Sequence, residues 1–214
     1  MAIKVPPGRA GRLWLVRRLE VGTRGLEVLD QKRQTLLHEQ QRLSDRLAED
    51  RAAWERQARE AATWSDRAAA ISGARRLRLA SLYRGERAKV TIEWRNAVGV
   101  VIPVSATVQL GEPPDFVSLG GGSSVTLAAE SHARALVAAA AYAAASTAHE
   151  AITAELAATV RRLRAIERRW MPEHEAALRK LNLALDQSEL EDIIRVRWVV
   201  KRQQSQPRPG VQSI

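Results

Sequence analysis

The residues best equipped for chemistry in this sequence are arginines. The densest positive run is Arg161-Arg162-Leu163-Arg164-Ala165-Ile166-Glu167-Arg168-Arg169. Guanidinium groups at that density pair with carboxylates or phosphates, so the run suits an acidic protein partner or a nucleic-acid backbone. It equally suits a coiled-coil flank, where Arg and Glu stand beside an apolar seam. No aromatic residues interleave with it in the pattern that stacks unpaired bases. The four histidines (His38, His132, His149, His174) include no i, i+4 pair of the kind that grips zinc. Glu173-His174-Glu175 could touch an ion, but it reads more simply as a solvated helix face. Gly120-Gly121-Gly122-Ser123-Ser124 lacks the lysine of a phosphate-binding loop and reads as a flexible turn. The absence of cysteine removes disulfides, thiolate metal sites and thiol nucleophiles, and fits a reducing compartment. The sequence offers no catalytic constellation and calls for no cofactor or metal.

Two heptad-patterned segments must position these residues. In the first, positions 19, 22, 26, 29, 33, 36, 40, 43, 47, 50 and 54 step by alternating threes and fours, and seven of the eleven are apolar. In the second, positions 152, 156, 159, 163, 166, 170, 173, 177, 181, 184 and 188 also step by threes and fours, with two successive fours between 173 and 181, and eight of the eleven are apolar. The seam is carried by Leu19, Leu26, Leu29, Leu36, Leu43 and Leu47 on one side, and by Ile152, Leu156, Leu163, Ile166, Trp170 and Leu181 on the other. A repeat of 3.5 residues lets two helices bury such seams against each other in a left-handed supercoil. Polar members (Arg33, Gln40, Asp50, Thr159, Glu173) would fix register at some cost in stability. Aromatics make up only 4% of the chain, a thin supply for a globular core.

The expected fold is mainly α: a long antiparallel two-helix coiled coil from the N- and C-terminal helices, with a small central α/β-hairpin region. Residues 1–73 form the first segment, with an extended lead-in over 1–11, a helix over about 12–71 and a stop or kink at Ser72-Gly73. Gly22 and Gly25 fall inside that helix and mark a close approach or a local bend. The central region, 74–130, holds a short helix and two period-two segments, Ala88–Trp94 and Val104–Leu110, which read as strands. Asn96, Gly99 and Pro103 supply the turn between them, and Gly111–Ser124 reads as an irregular link. The last helix starts near Ala128, its coiled-coil segment covers 131–202, and a kink is expected at Pro172. Residues 203–214, with Pro207, Pro209 and Gly210, read as a disordered tail.

The net charge is +10. Residues 1–33 carry eight Lys/Arg against three acids, and residues 195–214 carry five Lys/Arg and no acid, so each segment contributes +5. The remainder balances to zero. An antiparallel pair of helices brings both segments to one end, which should then meet an acidic partner or polyanion. No apolar run approaches the ~18 residues that span a bilayer, and the lead-in lacks the apolar core of a signal peptide. The expected location is cytoplasmic, without direct insertion into a membrane.

Three stretches carry a family resemblance. Near the start stand Pro7, Leu13, Arg17-Arg18-Leu19, Arg24-Gly25, Leu29 and Lys32-Arg33. In the middle stands Asn96-Ala97-Val98-Gly99-Val100-Val101-Ile102-Pro103, and in the last helix Arg161–Glu167 followed by Met171-Pro172. Together they resemble the D subunit of the V-type (V/A-type) rotary ATPases, in the same order over nearly the whole length. Arg164 departs from the family, which typically has Asn there.

The resemblance implies a central rotor stalk that is not itself catalytic and not a homo-oligomer. Its partners would be the catalytic and regulatory subunits (A and B type), the small F subunit of the stalk and a membrane-side connector. It would sit peripheral to the membrane and couple ATP hydrolysis or synthesis to proton or sodium transport. In that family the end holding both termini enters the bore of the hexamer. Arg9, Arg12, Arg17, Arg18, Arg195, Arg197, Lys201 and Arg202 are then expected to face acidic loops of the bore, with the ribbon at the far end near the F subunit and the connector. Two other readings remain open on the residues alone. One is the stalk of a secretion-export ATPase, which is generally shorter and lacks such a ribbon. The other is a basic coiled-coil nucleic-acid binder, for which only Trp14 and Trp198 lie near the basic tip.

Overall fold

A computed structural model describes residues 4–82, 87–111 and 122–205. Helix α1 runs Gly8–Ser72 and α2 runs Ala74–Ser81, with the left-handed Gly73 between them. Strands β1 (Lys89–Ala97) and β2 (Val100–Gln109) form one antiparallel two-stranded ribbon. Helix α3 (Gly122–Ala165) passes through a π-turn (Ile166–Trp170) into α4 (Met171–Ser205). The fold is therefore two long helical stretches with a small antiparallel hairpin between them in sequence. By its internal contacts the chain divides into two compact units, one of Gln31–Val160 and one of the residues up to Asp30 together with those from Arg161 onward.

In the Gln31–Val160 unit, α1 and α3 are antiparallel. Lys32 Nζ meets Glu155 Oε1 at 2.6 Å, Gln40 donates to the Thr153 hydroxyl at 3.0 Å, and Arg134 donates to Glu60 at 2.9 Å. His132 meets Ser65, and the Ser124 and Ser72 hydroxyls lie 3.2 Å apart. Between the helices lies a core of Leu36, Leu43, Ala148, Ile152 and Leu156, which Ala97 and Ile102 of the ribbon complete. The buried side chains follow a narrow stripe along each helix, as a two-helix seam requires. A second cluster joins Val125 and Ala128 to Ala68, beside Trp64 and Leu77. That burial explains why α3 begins at Gly122, earlier than the sequence pattern near Ala128 suggested. At the other end the helix continues to Ser205, beyond the expected limit at 202. The rest of the tail, and residues 112–121 of the expected link, lie outside the described residues.

Thr159 sits in this unit with no exposure, and its hydroxyl has no hydrogen-bond partner among the described residues. A buried, unpaired hydroxyl is costly. Thr159→Val keeps the shape and removes the polar atom, so it should raise the unfolding free energy by about 1 kcal/mol. Chemical denaturation of the full chain reads this directly.

The ribbon corrects the expected turn. Asn96 lies in β1 and Pro103 in β2, and the reversal falls at Val98-Gly99, both left-handed (φ 55° and 84°). Two successive positive φ angles make the tight reversal that matches strand twist, and glycine takes the second without strain. The Gly99 N–H donates to Asn96 Oδ1 at 2.9 Å, which closes the turn. Pro103 is tolerated within a strand because the register slips between Glu93 and Trp94, leaving a bulge beside it.

The ribbon is tied to α1 by charge. Glu39 accepts from Arg42 at 2.7 Å and also pairs with Arg95 of β1. The hydrogen bond from Arg42, aided by the positive charge of both guanidiniums, holds the Glu39 carboxyl below its ordinary value. A lowered folded value means the folded state binds fewer protons, so this contribution is complete above the unfolded carboxylate range. It is lost as pH falls through the folded value. The stability gap between the native chain and Glu39→Gln should therefore narrow on acidification below about pH 5. Denaturation of both chains across that window tests it.

In the other unit, a close helix approach decides one residue. A Cβ built at Gly22 would lie 2.4 Å from Trp170 Cζ3 and 2.9 Å from Met171 Sδ. The interruption expected at Pro172 takes the form of the π-turn, closed by Met171 N–H donating to Ile166 O. Proline has no N–H for the carbonyl four residues before it, so a wider turn just upstream restores the ladder. That turn seats Trp170 over Gly22. Gly22→Ala should cost about 1–3 kcal/mol through overpacking. The penalty should shrink when combined with Trp170→Leu, a non-additivity that a double-mutant cycle in denaturant measures.

Candidate interaction surface

The expected seam residues divide by unit. Leu36, Leu43, Ile152 and Leu156 are buried and Leu47 is half-buried, all in the Gln31–Val160 unit. Leu19, Leu26, Leu29, Leu163, Ile166, Trp170 and Leu181 belong to the other unit and are half-buried. Leu15 is fully buried there, one step before the first expected seam residue. A seam counted from Leu19 passes over Leu15, which continues the same spacing one step toward the N-terminus.

All eight basic residues expected at the tip lie in the unit that holds both terminal segments, and all are exposed. Arg9, Arg12, Arg17 and Arg18 project from the first turns of α1. Arg195, Arg197, Lys201 and Arg202 project from the last turns of α4. Arg9 meets Glu189 at 2.8 Å, a solvent-exposed pair that contributes little to stability but marks which turns of α1 and α4 stand level. Because α1 begins at Gly8, α4 beyond Glu189 extends past it. Every side chain from Asp186 to Arg202 is exposed. At ~1.5 Å per residue, the helix beyond Glu189 adds roughly 24 Å.

That extension is chemically unusual. Leu190, Ile193, Ile194, Val196, Trp198, Val199 and Val200 are all exposed, Trp198 by 74%. At 100° per residue these side chains, together with Arg195, Arg197, Lys201 and Arg202, ring the whole helix. A helix apolar on every side is a buried helix, yet all of these side chains are exposed here. An exposed apolar patch of that extent marks an interaction site, and the interleaved cations select a socket with acidic character. Sequence reasoning singles out the cations and misses the apolar residues, because it samples only one seam. The run Ile193-Ile194-Arg195-Val196-Arg197-Trp198-Val199-Val200 carries the signal. No helix among the described residues is long and apolar enough to cross a membrane.

A second surface lies at the start of α1. Pro6, Ala10, Leu13, Trp14, Arg17, Arg18, Val21 and Trp170 line an open groove of about 560 Å³. The Arg18 guanidinium stands 4.7 Å from the Trp14 ring centroid and 6.0 Å from that of Trp170. His174 is buried behind them, stacked on Trp170 at 3.9 Å with Nδ1 2.8 Å from the Trp170 carbonyl oxygen. The histidine thus serves packing at the π-turn.

Comparison with known proteins agrees with the resemblance. The sequence profile of the ATP synthase D subunit matches residues 13–201. The D subunit of the A-type ATP synthase of Halobacterium salinarum, in strains R1 and NRC-1, is 25% identical over 202 residues, covering 93% of this chain and 90% of the relative. The D subunit of the A-type ATP synthase of Halorubrum lacusprofundi is also 25% identical over 202 residues, covering 93% of this chain and 89% of that protein. The match takes in most of α1, the ribbon and nearly all of the last helices, with the greater part of the exposed α4 extension. The chain belongs to the ATP synthase D-subunit family.

Proposed function

We propose that this chain is the non-catalytic rotor shaft of a rotary ATPase, carrying rotation between an ATP-hydrolysing or ATP-synthesising hexamer and a membrane ion-translocating ring. The observation that carries this reading is the α4 extension, apolar and basic around its whole circumference and exposed throughout. Such an element has a purpose only inside a partner that covers it, and the bore of the hexamer of A- and B-type subunits is that partner. Arg9, Arg12, Arg17, Arg18, Arg195, Arg197, Lys201 and Arg202 face acidic loops there. The small F subunit of the stalk and the membrane-side connector meet the chain near the ribbon, whose exposed Val90, Ile92 and Trp94 offer apolar contact. The shaft is held at the cytoplasmic face of the membrane through the complex.

The test is a tagged pull-down from native cells with identification of the bound chains. Recovery of two different ATPase subunits and a small stalk subunit supports the proposal. Recovery of a single homohexameric ATPase with secretion components, or of nucleic acid released by salt, contradicts it.

A further inference from the structure

We infer that the groove at the start of α1 is a built docking site for one acidic, aliphatic segment of a partner subunit. The inference rests on the rotor-shaft reading and adds a defined pocket to its general attraction of charge. Three features point to that occupant. The floor is apolar and accessible: Leu13 is 52% exposed and Val21 68%, with Trp14 and Trp170 half-buried between them. An aliphatic side chain laid there would gain burial that the chain itself does not supply.

At the rim stand Arg17 and Arg18, neither of which meets a carboxylate among the described residues. A guanidinium offers five donors in a rigid fork, made for a carboxylate. Arg18 is also held in place by the faces of Trp14 and Trp170. Contact with the rings restrains the side chain and leaves the donor edge free, so less order is lost when a carboxylate arrives. A protein segment fits this combination better than a nucleic acid, because the floor is lined by aliphatic side chains and the rings are already taken up by Arg18.

Site-specific photo-crosslinking in the intact complex tests this. One variant carries p-benzoylphenylalanine in place of Leu13, and a second carries it in place of Val199 on the α4 extension. Each is expressed in native cells, irradiated, purified through a tag and digested for peptide mapping. The Leu13 probe should attach to one partner segment with an Asp or Glu within a few residues of an aliphatic side chain. Adding Arg18→Glu should lower that attachment about tenfold, the scale of a lost charge-assisted pair. Attachment by the Val199 probe should stay unchanged. Arg17→Glu provides a second variant, with helical content checked by circular dichroism for both.

Attachment of the Leu13 probe to no protein, to nucleic acid, or to a segment without a carboxylate overturns the inference. Where the Val199 probe still maps to ATPase subunits, the rotor-shaft reading survives that result. Failure of the Val199 probe as well overturns both.

Discussion

Trp198→Ala should weaken the chain's binding to the catalytic hexamer by about thirty-fold, roughly 2 kcal/mol, the scale of an aromatic anchor at the centre of an interface. Its own stability should move by no more than about 0.5 kcal/mol. The contrast follows from placement. Trp198 is 74% exposed and lies on α4 beyond Glu189, the residue aligned with Arg9 near the start of α1. At that exposure little of the ring is packed within its own unit, so its loss costs little there. A socket that covered the helix would lose all of the ring's buried area. Titration of labelled chain against the purified hexamer gives the affinity, and denaturation gives the stability. An unchanged affinity would mean that the exposed apolar residues of α4 serve some other partner.

The second large effect is internal. Ile152→Ala should lower the unfolding free energy by about 2–5 kcal/mol through lost burial and the cavity left behind. Ile152 is fully buried among Leu36, Leu43, Ala148 and Leu156, and the ribbon residues Ala97 and Ile102 share that cluster. A slender pair of helices has few such positions, so one truncation removes a large fraction of a net stability that is small to begin with. Ile193→Ala provides the comparison. Its side chain is 50% exposed on α4, and its loss should shift the denaturation midpoint little. Equal losses at the two positions would mean that burial in this unit does not set the stability.

The two long helices are legible because a repeat of threes and fours is a local signal, and the ribbon because alternation at period two is another. What escapes sequence reading depends on geometry between distant residues. Pro103 looks like a turn residue, since a proline rarely enters a strand, yet the slip beside Trp94 gives it a place. The start of α3 at Gly122 reflects burial of Val125 and Ala128 on Ala68, a contact across more than fifty intervening residues. Pro172 announces an interruption, but the form it takes requires knowing that Trp170 sits over Gly22. At the candidate surface the cations stand out by charge. The apolar residues among them are hidden by the assumption that α4 buries a single stripe along its whole length.

A rotor shaft, as proposed for this chain, must turn within its complex. The sequence has no cysteine, so a single introduced one, labelled before assembly, is a unique attachment point on this chain. Thr107 is exposed on β2 and bears on neither helix seam. With Thr107→Cys carrying a bead and the hexamer fixed to a surface, ATP should drive unidirectional rotation of the bead that stops when ATP is withdrawn. A bead that stays still while the same complexes hydrolyse ATP would contradict the rotor assignment.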